Sequence, residues 1–341
     1  MSRTTDPNQL LEAVCRRGVL CSVAASYWRG CKQLKAEDLG INPANVNERL
    51  IRLGHKRLVP RDALAPFALA EGRARSLVES ASFPFLGGIA RFVPNPNLAS
   101  LTEGLDRLKA EFHASVLDFV AGYGPLRESA LAEWREAARQ LDPGGGGERL
   151  IATIEQSFPP AGEIARRFGF EVRFFQVAVP ESLRVEMSES LEGLEVADER
   201  RRVAEEAGRR LRADLDAFIR ESVTALRSET AKLCGEVLET LDNSTVVVHQ
   251  RTLDRLSSFI ERFRSLNFAG DSELERTLER FREELLTRSA DDFRNDRQAM
   301  GDLTHGLQRL RESAVRLASS DAREIATRFG QLGGRKLAMA G

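Results

Sequence analysis

All twelve prolines of this chain lie at or before Pro180, and none follows through to Gly341. Proline inside a helix removes a backbone donor and costs about 3 kcal/mol, so a proline-free tract of this length predicts long, continuous helices. Both tryptophans (Trp28, Trp134) and both tyrosines (Tyr27, Tyr123) also precede that point. The chain therefore changes character between Pro180 and Gly193. At 341 residues and roughly 150 residues per domain, about two domains fit. The reading is a mostly α protein. An α+β N-terminal domain occupies 1–185, a long-helix coiled-coil-like domain occupies 194–330, and 331–341 is a flexible tail.

The apolar stripes support this division. Val203, Ala207, Leu211, Leu215, Phe218, Ile219, Val223, Leu226, Leu233, Val237 and Leu241 recur mostly at steps of three or four. They predict one amphipathic helix of about 45 residues, roughly 65 Å long. Asp242-Asn243-Ser244 is read as a break. A shorter helix through Leu253, Leu256, Ile260, Phe263 and Leu266 stops at Asn267-Phe268-Ala269-Gly270, where glycine supplies a left-handed conformation. Ser272 and Glu275 then stand at capping-box spacing. They open a further stripe through Leu274, Leu278, Phe281, Leu285 and Phe293 to Met300, Leu303, Leu307, Leu310, Ala314 and Leu317, whose last part alternates steps of three and four as a heptad does. A final helix begins at Ser320-Asp321 and carries Ile325 and Phe329.

A stripe this narrow is not stable alone in water, because helical stability comes mainly from burying the apolar face. These helices must pack on each other, on the first domain or on another chain. The seam of Met300, Leu303, Leu307, Leu310 and Leu317 is thus a candidate face for self-association or for a protein partner.

The first domain reads as mixed. Helices are predicted over Asn8–Trp28, Arg61–Ser80, Leu98–Val120 and Leu126–Leu141, the last ended by Asp142-Pro143 and four glycines. The strongest strand is Phe170–Val179, rich in β-branched and aromatic residues and closed by Pro180, with Ile89–Val93 as its expected partner.

Charged residues make up 30% of the chain, above the average of about 25%, which fits long solvated helices. Fifty basic and 51 acidic residues cancel to −1, so no global field draws the chain to phosphate or to anionic lipid, and any such binding is local. The longest N-terminal apolar run, Val19–Ala25, is far shorter than the roughly 20 residues of a membrane span. Cys15, Cys21, Cys31 and Cys234 show no CxxC spacing, and His55, His113, His249 and His305 are scattered. Neither a disulfide framework nor a zinc site is indicated, and the expected setting is the reducing cytoplasm. The run Gly144–Gly147 lacks the Lys-Ser/Thr of a phosphate loop, no HExxH or GxSxG occurs, and no catalytic residue, cofactor or metal is predicted.

Two segments stand out as candidates for binding. Arg52, Lys56, Arg57 and Arg61, with His55 among them, form the densest basic run and a candidate phosphate contact, although aromatics for base stacking are lacking nearby. The segment Ser82–Pro94 packs Phe83, Phe85 and Phe92 with two prolines and a glycine pair. It reads as a rigid turn serving either as a buried connector or as a docking surface.

Leu53-Gly54-His55-Lys56-Arg57-Leu58-Val59-Pro60, then Phe85-Leu86-Gly87-Gly88, Phe92-Val93-Pro94 and the helix from Leu98 to Val120 resemble an uncharacterised bacterial, plasmid and phage family. That family is a domain of unknown function often encoded beside MoxR-type AAA ATPases and proteins with von Willebrand factor A domains. The resemblance covers most of the chain and implies an accessory role near a remodelling ATPase, with no catalytic residue to carry over. The functional expectation is a non-enzymatic interaction or scaffold protein. The alternative is a nucleic-acid-associated accessory protein using residues 52–61.

Overall fold

Helices dominate the protein, and a small antiparallel sheet accompanies them. The computed structural model describes residues 7–36, 54–141, 147–176, 194–242, 248–320 and 322–335. They divide into two compact units. The first joins Met1–Cys21, Ala81–Ala99 and Phe174–Gly341, and the second joins Ser22–Ser80 and Ser100–Arg173. These units do not follow the linear division expected from the proline boundary. The physical reason lies in α1 (Pro7–Arg17) and in the strands β4 (Phe83–Phe85) and β5 (Ala90–Pro94), whose apolar side chains share a core with the C-terminal helices.

The helix expected over Asn8–Trp28 stops early. Helix α1 ends at Arg17 and the chain turns at once into strand β1 (Gly18–Ser26). At Gly18 the backbone passes so close to β5 that a Cβ would lie 2.3 Å from the Val93 carbonyl oxygen and 2.5 Å from the Phe92 ring. Only glycine allows that approach, and the register Gly18↔Pro94, Val19↔Val93, Leu20↔Phe92 follows from it. The short strands β2 (Cys31–Gln33) and β3 (His55–Arg57) form a separate antiparallel pair.

The four-stranded sheet runs in the order β4-β5-β1-β6, with β6 at Gly169–Phe175. The segment 89–93 is therefore not the direct partner of the 170s strand, because β1 stands between them. The expected strand residues from 177 onward lie outside the described residues.

In the second unit, a 3-10 turn over Asp62–Leu64 leads into α2 (Ala65–Ser80). Helix α3 (Asn95–Leu141) then spans 47 residues as one element, with Pro125 inside it. Two separate helices, over Leu98–Val120 and Leu126–Leu141, were expected here. Packing on both sides of the proline outweighs the lost hydrogen bond: Phe119, Tyr123, Ala130 and Leu131 are all buried, and the Tyr123 hydroxyl donates to the Pro159 carbonyl at 2.7 Å. Trp28, Phe67, Phe112, Phe158 and Phe168 complete this aromatic core. Helix α4 (Gly147–Ser157), which the sequence reading did not predict, buries Leu150 and Ile154. The glycine run before it lies mostly outside the described residues.

The first unit is organised around α5 (Leu194–Asp242), 49 residues long. At about 1.5 Å per residue it measures about 74 Å. Helices α6 (Gln250–Leu266), α7 (Ser272–Leu285), α8 (Ala290–Asn295), α9 (Arg297–Ser319) and α10 (Arg323–Arg335) follow. Helix α9 packs along α5 and α7, while α1 packs on α5 and α10. The stripe from Leu274 to Leu317 is thus carried by three helices. A capping box of Ser289 and Asp292 opens α8, and the Asp296 side chain caps α9.

Gly270 adopts φ +77° at the end of the turn after α6, the conformation expected of it. The cap of α7, in contrast, is Asp271 and not Ser272, with the Asp271 carboxylate accepting from the Leu274 N–H. Helix α10 continues to Arg335, five residues into the segment expected as a tail; residues 336–341 lie outside the described residues.

Candidate interaction site

The residues singled out from the sequence fall into three groups. Leu303, Leu307, Leu310 and Leu317 are buried in the core of the first unit and Met300 packs against it, so the heptad-spaced seam meets α5 and α7 of the same chain. It offers no apolar face for another chain. Phe83, Phe85 and Phe92 are likewise buried. Phe85 meets Phe218 of α5 with ring centroids 4.9 Å apart, and Phe92 meets Phe268 at 4.7 Å. The Ser82–Pro94 segment is therefore a β-hairpin that plugs the helical core, and a docking surface made of these three rings is excluded. Arg91 fastens its base, donating from Nε to the Ser82 hydroxyl at 3.0 Å and from Nη2 to the Ser82 carbonyl at 3.1 Å.

The basic run is also dispersed. Arg57 and Arg61 are exposed, but Lys56 is buried at 5% exposure in β3, where alternation turns it to the opposite side of the strand from its neighbours. Arg52 lies outside the described residues. Lys56 does not belong to a common cationic surface with Arg57 and Arg61. The Arg57 carbonyl is itself engaged, accepting a hydrogen bond from Trp134 Nε1 at 2.8 Å.

Two surface features of the first unit bear on binding. The first is the N-terminal part of α5. From Arg202 to Asp214 no described side chain is buried, and burial begins only at Leu215. Within that stretch Val203 is 54% exposed and Ala207 is exposed, while Leu211 is half-buried against the core of the first unit. At i, i+4 and i+8 these three lie on one side of the helix, and they continue the stripe that Leu215, Phe218 and Ile219 bury further along. The sequence periodicity runs through both parts without a change, so it could not show where core ends and open surface begins.

The second feature is a cavity of about 610 Å³ whose lining includes Arg16 and Arg17 from the end of α1, Asn95 and Pro96 from the start of α3, Arg264 and Asn267 from the end of α6, and Phe268 and Phe329. Sequence reasoning missed it because its arginines are up to 248 residues apart in the chain, as the numbers of Arg16 and Arg264 show. No acidic residue lines it. Among the described residues, no group of three or more His, Cys, Asp and Glu side chains is placed to hold a metal ion, and no helix is long and apolar enough to cross a membrane.

The sequence profile of the family of proteins of unknown function DUF3150 matches residues 16–289. The chain belongs to this family. The DUF3150 span takes in β1, the β-hairpin, the second unit, α5 with its open stripe, and the helices through α7. Helices α8, α9 and α10 lie beyond it, although α9 fills the groove along α5 and α7. No curated protein and no solved structure matches the chain.

Proposed function

We propose that this DUF3150 protein is a non-catalytic interaction protein that takes a partner through the N-terminal part of α5. The observation that carries the reading is the pair Val203 and Ala207, which continues the stripe that Leu211 and Leu215 lay against the core but stands open where the rest is covered. Such a face lowers its free energy by laying against another helix, and amphipathic helices recognise partners through anchors at this spacing. The ion pair of Arg210 with Glu206 lines one edge of the stripe. The family resemblance suggests the setting: an accessory subunit to a MoxR-type AAA ATPase system, bacterial or carried on a plasmid or phage, working in the cytoplasm. A second copy of the chain is the other partner considered. The nucleic-acid reading has less support, since Lys56 is buried away from the exposed Arg57.

The test compares the wild-type chain with a Val203→Glu, Ala207→Glu variant, both purified from the native host with whatever they hold. The variant is expected to keep its melting temperature, since neither residue is buried, and to lose its partner. Sedimentation velocity on the purified chain separates a second copy from a different protein. Retention of the same partner and the same mass by the variant would overturn the reading.

A further inference from the structure

We infer that the cavity between α1, the start of α3 and the end of α6 is a binding site for a small organic phosphate. Its phosphate would sit among Arg16, Arg17 and Arg264, and its apolar body would lie toward Phe268 and Phe329.

The charge balance supports an anion. Three guanidinium groups line the cavity and no carboxylate does. Arg16 has a partner outside the lining, Glu12, at 3.5 Å. Arg17 and Arg264 have no ion-pair partner among the described residues. Helix ends modify this only in part. Helices α1 and α6 both finish at the cavity, and the negative end of each dipole contributes about half an elementary charge, which is a sufficient reason for basic residues to stand there. Helix α3 begins at it, and its positive end offsets about one of those halves. With Glu12 also counted, roughly one to one and a half positive charges remain uncompensated, in a chain whose net charge is −1.

The chemistry of the lining narrows the class. All three cations are arginine, whose planar fork matches phosphate oxygens bidentately. The remaining wall is apolar where Phe268, Phe329 and Pro96 face the cavity. A volume of about 610 Å³ falls within the roughly 300–1,000 Å³ range of small-molecule sites. An isolated inorganic anion would leave the apolar part empty, and a neutral apolar molecule would leave the arginines unmet. An organic phosphate satisfies both.

The probe is AMP, titrated into the full chain by calorimetry beside its two halves, adenosine and inorganic phosphate. AMP is expected to bind saturably and at least tenfold more tightly than either half, with affinity falling as salt is raised. Arg17→Ala and Arg264→Ala are each expected to weaken AMP binding about tenfold or more. Both residues are exposed, so the unliganded melting temperature should stay unchanged. An Arg75→Ala variant, on the exposed side of α2, serves as the control and should bind as wild type does. Absence of AMP binding, equal binding of adenosine, or AMP binding unaffected in the Arg17→Ala, Arg264→Ala double variant would overturn the inference. A 5′-phosphorylated oligonucleotide binding more tightly than AMP would overturn it in favour of a nucleic-acid end.

Discussion

Arg227 of α5 meets Asp271, the cap of α7, with Nε 2.6 Å from Oδ2 and both side chains almost wholly excluded from solvent. The same guanidinium donates from Nη1 to the Leu317 carbonyl at 2.7 Å, near the end of α9. Asp271 in turn accepts from the Leu274 N–H. One buried ion pair thus joins three helices at points 44 and 90 residues apart in the chain. Replacing a single partner leaves the other charge buried and alone, which destabilises by about 3–5 kcal/mol. Arg227→Met and Asp271→Ala are each expected to lower the unfolding free energy measured in urea by that order, and the double variant by less than their sum. Additive effects would show that the two charges are not coupled.

Leu307 is fully buried in the middle of α9. Truncation to alanine should cost about 2–5 kcal/mol through lost burial and the cavity left behind. Since the seam packs within the chain, the mass by light scattering should not change. A Leu307→Ala protein of normal melting temperature but smaller assembly would place the seam between chains instead.

The cysteines divide into two pairs. Burial pushes the Cys21 thiol up to about 11 and the Cys234 thiol up to about 12, the latter despite the nearby Arg311. Cys15 and Cys31 are half-buried. Because the thiolate is the reacting form, a chromogenic disulfide reagent at pH 8 should titrate two thiols rapidly in the native protein and four in urea. Rapid reaction of three or four without denaturant would contradict the burial of Cys21 and Cys234.

Asp292 accepts from the backbone N–H of Ser289 at 2.8 Å and from its hydroxyl, and these hydrogen bonds hold its carboxyl below the ordinary value of 3.8. A lowered folded-state value contributes stability that is present above the ordinary carboxylate range and is lost as pH falls through the lowered value. The difference in urea midpoint between wild type and Asp292→Ala should therefore be largest near neutrality and shrink in acid. A difference independent of pH would remove the charged capping box as its cause.

Periodicity made the helices legible, and the reasons for its failures are local. Leu215 and Val203 belong to one repeat, yet only one is covered, because burial depends on what lies opposite and the repeat does not encode it. Ser272 and Asp271 are both able to cap α7, and the one that does so, Asp271, also pairs with Arg227, a contact that no local pattern reveals. Gly18 looked like a glycine in a helix, and only the carbonyl of Val93 beside it explains the strand that follows. The helices expected over Leu98–Val120 and Leu126–Leu141 are one, and the burial of Tyr123 and Ala130 on either side of Pro125 shows why the helix continues. The arginine-lined cavity was the least legible feature, since α1, α3 and α6 bring its residues together only in the folded chain.

The pairing of α1 with α10 has a consequence for how the protein is made. Residues 7–17 pack on residues 323–335 and on α5, so an apolar face made early in synthesis belongs with a helix made about 300 residues later. At about 5–20 residues per second, synthesis leaves Leu10, Leu11 and Val14 without their final neighbours for roughly 15–60 s. Throughout that interval the nascent chain carries the apolar face of α1 without the cover that α10 supplies in the folded protein.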